Sequence, residues 1–84
     1  MTILHKFISD VLTRGLKQNN QTGPNTFSCT IEKMEDEQGE YYMATCSTNN
    51  LEGEKIHSTI PFTKALLKAS GEAALDDFEI TVTV

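Results

Sequence analysis

The side chains that could carry out chemistry are few and widely spaced. The cysteines, Cys29 and Cys46, are separated by 16 residues, and the histidines, His5 and His57, lie far apart. Structural zinc sites use closely spaced pairs of cysteine or histidine, and this spacing provides none. The five glycines are scattered and form no phosphate-binding loop. We therefore predict no metal site and no cofactor.

Nucleophilic catalysis needs a serine or cysteine within hydrogen-bond reach of a histidine base. Ser58 directly follows His57, but consecutive strand residues point to opposite faces of a sheet, so we expect no hydrogen bond between these side chains. The neighbouring carboxylates Asp76 and Asp77 fit a turn or capping role at the start of a strand. The sequence therefore predicts a protein that is not an enzyme.

A dense group of carboxylates is the most distinctive feature of the chain. Four acidic residues lie within six positions, and Tyr41, which we expect to be exposed, follows them. A tyrosine beside carboxylates is suited to anchor an interface. We predict a surface that binds a basic protein partner, formed by Glu35, Asp36, Glu37, Glu40, Tyr41, Asp76 and Asp77. The alternative is that these charges are only solvated.

The whole chain is acidic, with 7 Lys and Arg against 12 Asp and Glu in 84 residues and a formal net charge of −5. This balance argues against direct nucleic-acid binding, which depends on a basic field. The first 20 residues, however, contain three cations and only one carboxylate. The alternative function is therefore a nucleic-acid-binding module with a basic helix face, formed by Lys6, Arg14, Lys17, Lys64 and Lys68.

The apolar runs are too short to span a membrane, and residues 1–15 alternate apolar and charged, unlike a signal peptide. Two cysteines without a signal sequence favour free thiols in a reducing compartment, with a cross-strand disulfide as the alternative. We therefore expect a cytoplasmic protein that does not bind a membrane.

Helical spacing of apolar residues predicts a first helix from Ile3 to Leu16, with Thr2 as its N-cap. Lys6, Asp10 and Arg14 would form an ion ladder on its exposed side. Pro61 can open a second helix, which ends at Gly71 or continues to Leu75.

Alternation of apolar and polar residues predicts four strands, at 26–34, 41–47, 55–60 and 77–84. Turns at 36–39 and 49–53 would join the first three strands into a meander. In the first hairpin, a register in which the numbers of paired residues sum to 75 places Cys29 opposite Cys46, unless Gly39 forms a bulge. In the second hairpin, a register in which they sum to 102 places Tyr42 opposite Ile60. Both registers bring the apolar residues onto one face.

The fold predicted from these elements is a single α+β domain over residues 1–84, in the order α-β-β-β-α-β. Two helices would pack on one face of a mainly antiparallel sheet. The first five elements resemble the order found in double-stranded-RNA-binding domains, as does Gly23-Pro24 before the first strand. That resemblance implies a second helix that starts with lysines and a first hairpin loop that is not acidic. The sequence departs from both features.

The last strand contains no proline or lysine, the residues that normally protect a sheet edge. It could lie beside the first strand, inside the sheet or at an edge. At an edge it could pair with a second copy, so a homodimer and a monomer both remain open.

The predicted function is that of a small acidic inhibitor or regulator that occupies a partner's surface. Phage and mobile-element inhibitors of nucleic-acid-handling complexes, such as anti-CRISPR proteins, offer an analogy. Carboxylates spaced along strands can occupy a basic channel that would otherwise hold nucleic acid.

Overall fold

Six elements follow one another in the computed structural model, which describes residues 2–49, 53, 55–71 and 76–84. They are α1 (Ile3–Gln18), β1 (Pro24–Asp36), β2 (Gly39–Asn49), β3 (Lys55–Phe62), α2 (Lys64–Ser70) and β4 (Phe78–Thr83). The four strands form one antiparallel sheet in the order β3-β2-β1-β4. The helices contact each other and cover one face of the sheet. The predicted α+β class and element order are confirmed.

Helix α1 forms because its apolar residues recur every four positions and its first turn is capped. Leu4, Ile8, Leu12 and Leu16 are buried, and the Thr2 hydroxyl accepts a hydrogen bond from the His5 N–H at 3.1 Å. The predicted N-cap is therefore confirmed. The helix extends two residues beyond its predicted end.

Two predictions on the surface of α1 are wrong. Ile3, the first of the apolar residues whose helical spacing predicts a buried face, is 58% exposed. Lys6, Asp10 and Arg14 form no ion ladder, because the described residues contain a single ion pair within 4.0 Å, between Lys33 and Glu40. Exposed pairs gain little free energy, so long side chains on a helix surface need not adopt the paired geometry.

The β1–β2 hairpin has the predicted register. Cys29 lies opposite Cys46, and the same register continues without a bulge to Asp36 opposite Gly39. Only Glu37 and Gln38 therefore form the turn. The Asp36 carboxylate accepts a hydrogen bond from the Gln38 N–H at 2.8 Å, and the φ angle of Gly39 is +121°.

The prediction that Pro61 opens a helix is wrong, because Pro61 and Phe62 are the last residues of β3. Helix α2 begins at Lys64, and the Thr63 hydroxyl caps it by accepting a hydrogen bond from the Leu66 N–H at 3.3 Å. The predicted β2–β3 register is also wrong by two residues, since Tyr42 pairs with Phe62 rather than Ile60. A shift of two residues keeps every side chain on its predicted face, so the apolar pattern could not exclude it.

The two-residue turn between β1 and β2 also determines, for each residue of the sheet, toward which neighbouring strand its backbone N–H and C=O groups point. The β-turn joins Asp36 and Gly39 as a hydrogen-bonded pair, and hydrogen-bonded pairs alternate along an antiparallel ladder. Following this alternation across the registers, residue 61 of β3 directs its backbone nitrogen away from β2. Proline lacks an N–H, and this edge position requires none. The alternation thus explains how β3 accommodates Pro61.

The core lies between the helices and one face of the sheet. Its fully buried centre is formed by Phe27, Leu4, Ile8, Cys29 and Cys46. Strand β4 lies beside β1 and at an edge, which decides between the predicted placements of the last strand. No helix among the described residues is long and apolar enough to cross a membrane.

Gly71 ends α2 with a φ of +90°, in agreement with its predicted C-cap role. The predicted continuation to Leu75 lies outside the described residues, as does most of the predicted turn at 49–53.

Candidate functional site

The β1–β2 hairpin extends beyond the strands on both sides of it. In the described chain, β4 pairs with β1 only as far as Cys29, and β3 pairs with β2 only as far as Tyr42. The remaining end of the hairpin, residues 34–41, is a two-stranded extension that we call the acidic finger. It contains four carboxylates and no cation, and residues 35–40 are all exposed. The finger therefore presents a concentrated negative charge on a narrow support.

Two of these carboxylates oppose each other across the hairpin. Glu35 pairs directly with Glu40, and like charges in opposed positions destabilise a strand pair. Lys33, at the base of the finger, offsets part of this repulsion with an ion pair to Glu40 at 3.2 Å. The hydrogen bond and the charge of Glu40 raise the pKa of Lys33 above its usual value. The other acids, Glu35, Asp36 and Glu37, are left available to an external cation.

An open groove with a volume of about 440 Å³ runs between the finger and the end of β3. Tyr41, with Glu40, lines it on the finger side, and residues 61–63 line the opposite side. Tyr41, which the sequence predicts to be exposed, is half-buried here. The groove thus combines an aromatic ring, a proline ring and carboxylates. This combination suits a long basic side chain, which has an apolar stem and a charged end.

The structure does not bring Asp76 and Asp77 together with the finger. Both are exposed, and they immediately precede Phe78, which pairs with Cys29. Cys29 is seven residues from Asp36 along β1, which corresponds to about 24 Å at the usual rise of a strand. The predicted binding residues therefore form two separate acidic groups.

The cations considered for nucleic-acid binding do share one layer. Helices α1 and α2 together present five of them as exposed side chains against a single carboxylate, Asp10: Lys6, Arg14, Lys17, Lys64 and Lys68. The described strands, the β1–β2 turn and residues 76 and 77 together contain eight carboxylates and two lysines. The helical layer is thus positive and the sheet layer negative, which the net charge of the chain conceals.

The open face of the sheet contains a row of side chains that sequence reasoning missed. Ser47 lies directly opposite His57, and Ser28 and Glu79 continue the row across β1 and β4. Glu79 and His57 are three strand spacings apart, about 14 Å, so the carboxylate cannot orient the imidazole. Of this row, only His57 lines a described groove, which has a volume of about 430 Å³ and lies between α1 and β3. Ser28, Ser47 and Glu79 do not line it. Only the registers of all three strand pairs, which align these four residues, could have revealed the row.

The paired cysteines are unbonded and buried, at 1% and 0% exposure. Interaction with the Cys46 sulfur, followed by burial, raises the pKa of the Cys29 thiol above its usual value, so this thiol stays protonated. Cys29 also lies 3.9 Å from the Phe27 carbonyl, which can accept its S–H. The pair is a polar element within the core, remote from the finger.

The His5 side chain is partly buried against β4. Its ring packs on Phe78 with a centroid separation of 4.1 Å, and its Nε2 is buried without a hydrogen-bond partner among the described residues. Burial, followed by the positive charge of the N-terminus, lowers the pKa of His5. In the part of the chain that the structure describes, no cluster of histidine, cysteine and carboxylate side chains could hold a metal ion.

Comparison of the chain with protein-family models, curated proteins and solved structures finds no match.

Proposed function

We propose that this protein is a non-enzymatic regulator or inhibitor that places its acidic finger on a basic surface of a partner protein. One observation carries this proposal: four carboxylates lie at the end of a hairpin that extends beyond both neighbouring strands. A narrow extension can enter a concave surface that the broad face of a sheet cannot reach. Its charge would also steer the approach of a basic partner.

The groove beside the finger indicates which groups the partner would supply. The stem of an arginine or lysine can pack on Tyr41 and Pro61 while its charged end reaches Glu40 or Asp36. Arginine fits better, because its planar guanidinium can stack on the tyrosine ring and bind a carboxylate through two hydrogen bonds. We therefore expect the partner surface to be rich in arginine.

The opposition of Glu35 and Glu40 supports a role in binding rather than in folding. A pair of like charges costs the free protein some stability, and a partner cation placed between them would relieve the repulsion. Part of the binding free energy would thus come from relief of the electrostatic repulsion between these two glutamates.

Surfaces that hold nucleic acid are strongly basic, which makes them the class of target that this finger fits best. An inhibitor of a nucleic-acid-handling complex would compete by occupying that surface. The two unbonded cysteines are in keeping with a reducing compartment, and we place the protein in the cytoplasm.

A charge-matched pair of double variants tests this proposal. Asp36→Asn/Glu37→Gln neutralises the tip, and the new amide at position 36 retains an oxygen that can accept the Gln38 N–H. Asp76→Asn/Asp77→Asn removes the same charge from the other acidic group, which we leave out of the proposed surface because it lies far from the tip. The probe is a fluorescent arginine-rich peptide, and anisotropy measures its affinity.

Loss of two exposed ion pairs should weaken binding by the tip variant about two- to thirtyfold. The control variant should bind the peptide like the wild type. Equal weakening in both variants would mean that the peptide senses only net charge, and the finger would then not be the binding surface.

The positive helical layer favours one second candidate, the nucleic-acid-binding module. Duplex RNA and duplex DNA, titrated at two salt concentrations, test it with Lys64→Gln/Lys68→Gln as the variant. Salt-dependent binding that this variant weakens and the tip variant does not would favour the second candidate over the acidic finger.

A further inference from the structure

The two edges of the sheet differ in how they are protected. At the β3 edge, Pro61 occupies a position whose backbone nitrogen faces outward, and the exposed Lys55 lies at the other end of the strand. Proline and lysine are the residues that normally block pairing with another strand. The β3 edge is therefore unsuited to extend the sheet.

The β4 edge lacks this protection. The alternation of hydrogen-bonded pairs directs the backbone of Phe78, Ile80 and Val82 toward β1. The backbone N–H and C=O groups of the intervening residues therefore face outward: Glu79, Thr81 and Thr83. Their side chains are exposed on the open face of the sheet, and only Glu79 carries a charge. These three alternate residues thus offer backbone hydrogen-bonding groups, free of proline and lysine, to a further strand.

From these positions we infer that β4 pairs antiparallel with β4 of a second copy, which gives a two-fold symmetric dimer with an eight-stranded sheet. A two-fold axis brings the same edge of both copies together, and β4 has suitable outward groups at regular spacing. The occupant of this edge is a second copy of the chain rather than a strand of a different protein. In one register of this pairing, the two glutamates do not oppose each other and the aliphatic residues face aliphatic residues.

That register is centred on Thr81, which faces the partner's Thr81. It places Glu79 opposite the partner's Thr83, so the two glutamates do not oppose each other. Ile80 then faces the partner's Val82 on the helix-covered side, so that residues of like polarity meet on both faces of the sheet. Because Ile80 and Val82 are already only 5% and 2% exposed in one copy, the seam would be held by its backbone hydrogen bonds rather than by new apolar burial.

The dimer leaves the acidic finger free in each copy. Strand β1 runs antiparallel to β4, and the two copies of β4 run antiparallel to each other. The fingers therefore point in opposite directions along the strand axis, and neither lies in the seam. Failure of the dimer would leave the proposed finger function untouched, and the two ideas are tested separately.

Thr81→Pro tests the seam, because it removes one outward N–H and no hydrogen bond of the β1–β4 ladder. Thr81→Val is the matched control, since it loses the hydroxyl that lies 2.9 Å from the Thr26 hydroxyl but keeps the N–H. Light scattering from micromolar to millimolar protein gives the mass. We expect the wild type and Thr81→Val to approach twice the chain mass of 9.3 kDa, and Thr81→Pro to remain at 9.3 kDa. A wild-type mass that stays at 9.3 kDa, or a dimer that persists in folded Thr81→Pro, would overturn the inference.

Two further measurements keep the test decisive if Thr81→Pro does not fold. Amide hydrogen exchange of Thr81 in the wild type should slow as protein concentration rises, and exchange independent of concentration would overturn the dimer. Thr81→Lys should abolish association by placing two lysines opposite each other. Stronger association in this variant would show that residue 81 faces the partner's Glu79 and would overturn the register.

Discussion

The environment of the His5 ring is set by a contact between α1 and β4. The burial of His5 depends on Phe78, which is 73 positions away and reaches it only through the β1–β4 pairing. No feature of the sequence near His5 indicates this contact.

The partly buried imidazole of His5 should make stability depend on pH. The pKa of His5 is lowered from 6.5 in the native state, so the unfolded chain binds a proton more readily below about pH 7. This contribution to the free energy of unfolding is complete above pH 6.5 and is lost as the pH falls toward the native pKa. Urea unfolding at about pH 7.5 and 5.5 should show the loss.

The variant His5→Gln should show a smaller decrease over this interval than the wild type. The matched control His57→Gln, which changes the exposed histidine on β3, should keep the wild-type decrease. If His5→Gln and the wild type lost the same free energy of unfolding, burial of this ring would not be the cause.

At the scale of elements, alternation and helical spacing predicted all six elements, and the first hairpin register was correct. The boundary between β3 and α2 was wrong because Pro61 suits both a helix start and an edge strand, and its sequence neighbours favour neither. The alternation of hydrogen bonds decides between them, and it becomes visible only once the sheet order is known. For the same reason, the sequence showed an acidic turn but not that the hairpin extends beyond its neighbours.

The finger should be more stable without its opposed glutamates. Glu35→Thr removes the repulsion from Glu40 and introduces a residue that favours strands, so the free energy of unfolding should rise by about 0.2–1 kcal/mol. Glu32→Thr is the control on the same strand, because Glu32 faces Met43 rather than a charge. Chemical denaturation measures both variants. A gain no larger for Glu35→Thr than for Glu32→Thr would contradict the repulsion.

At the scale of the whole molecule, the fold separates charges that the sequence intermixes. Five cations lie on the helices, and eight carboxylates lie on the sheet, in its β1–β2 turn and at residues 76 and 77. The net charge of −5 predicted a basic partner, but it could not locate the surface that would meet this partner. Only the assembled layers distinguish the acidic finger from the positive helical layer. The sequence therefore predicted the residues of the finger, but it also included Asp76 and Asp77, which lie elsewhere.

The central claim is that the acidic finger is the binding surface, and mapping of amide chemical shifts tests it most directly. Nuclear magnetic resonance spectra of the isotope-labelled protein would be recorded during titration with the arginine-rich peptide. We predict that the largest shifts fall within residues 34–41 and at Phe62 and Thr63, across the groove. Shifts of similar size around Asp10, Asp76 and Asp77, or larger shifts along α1 and α2, would contradict the account.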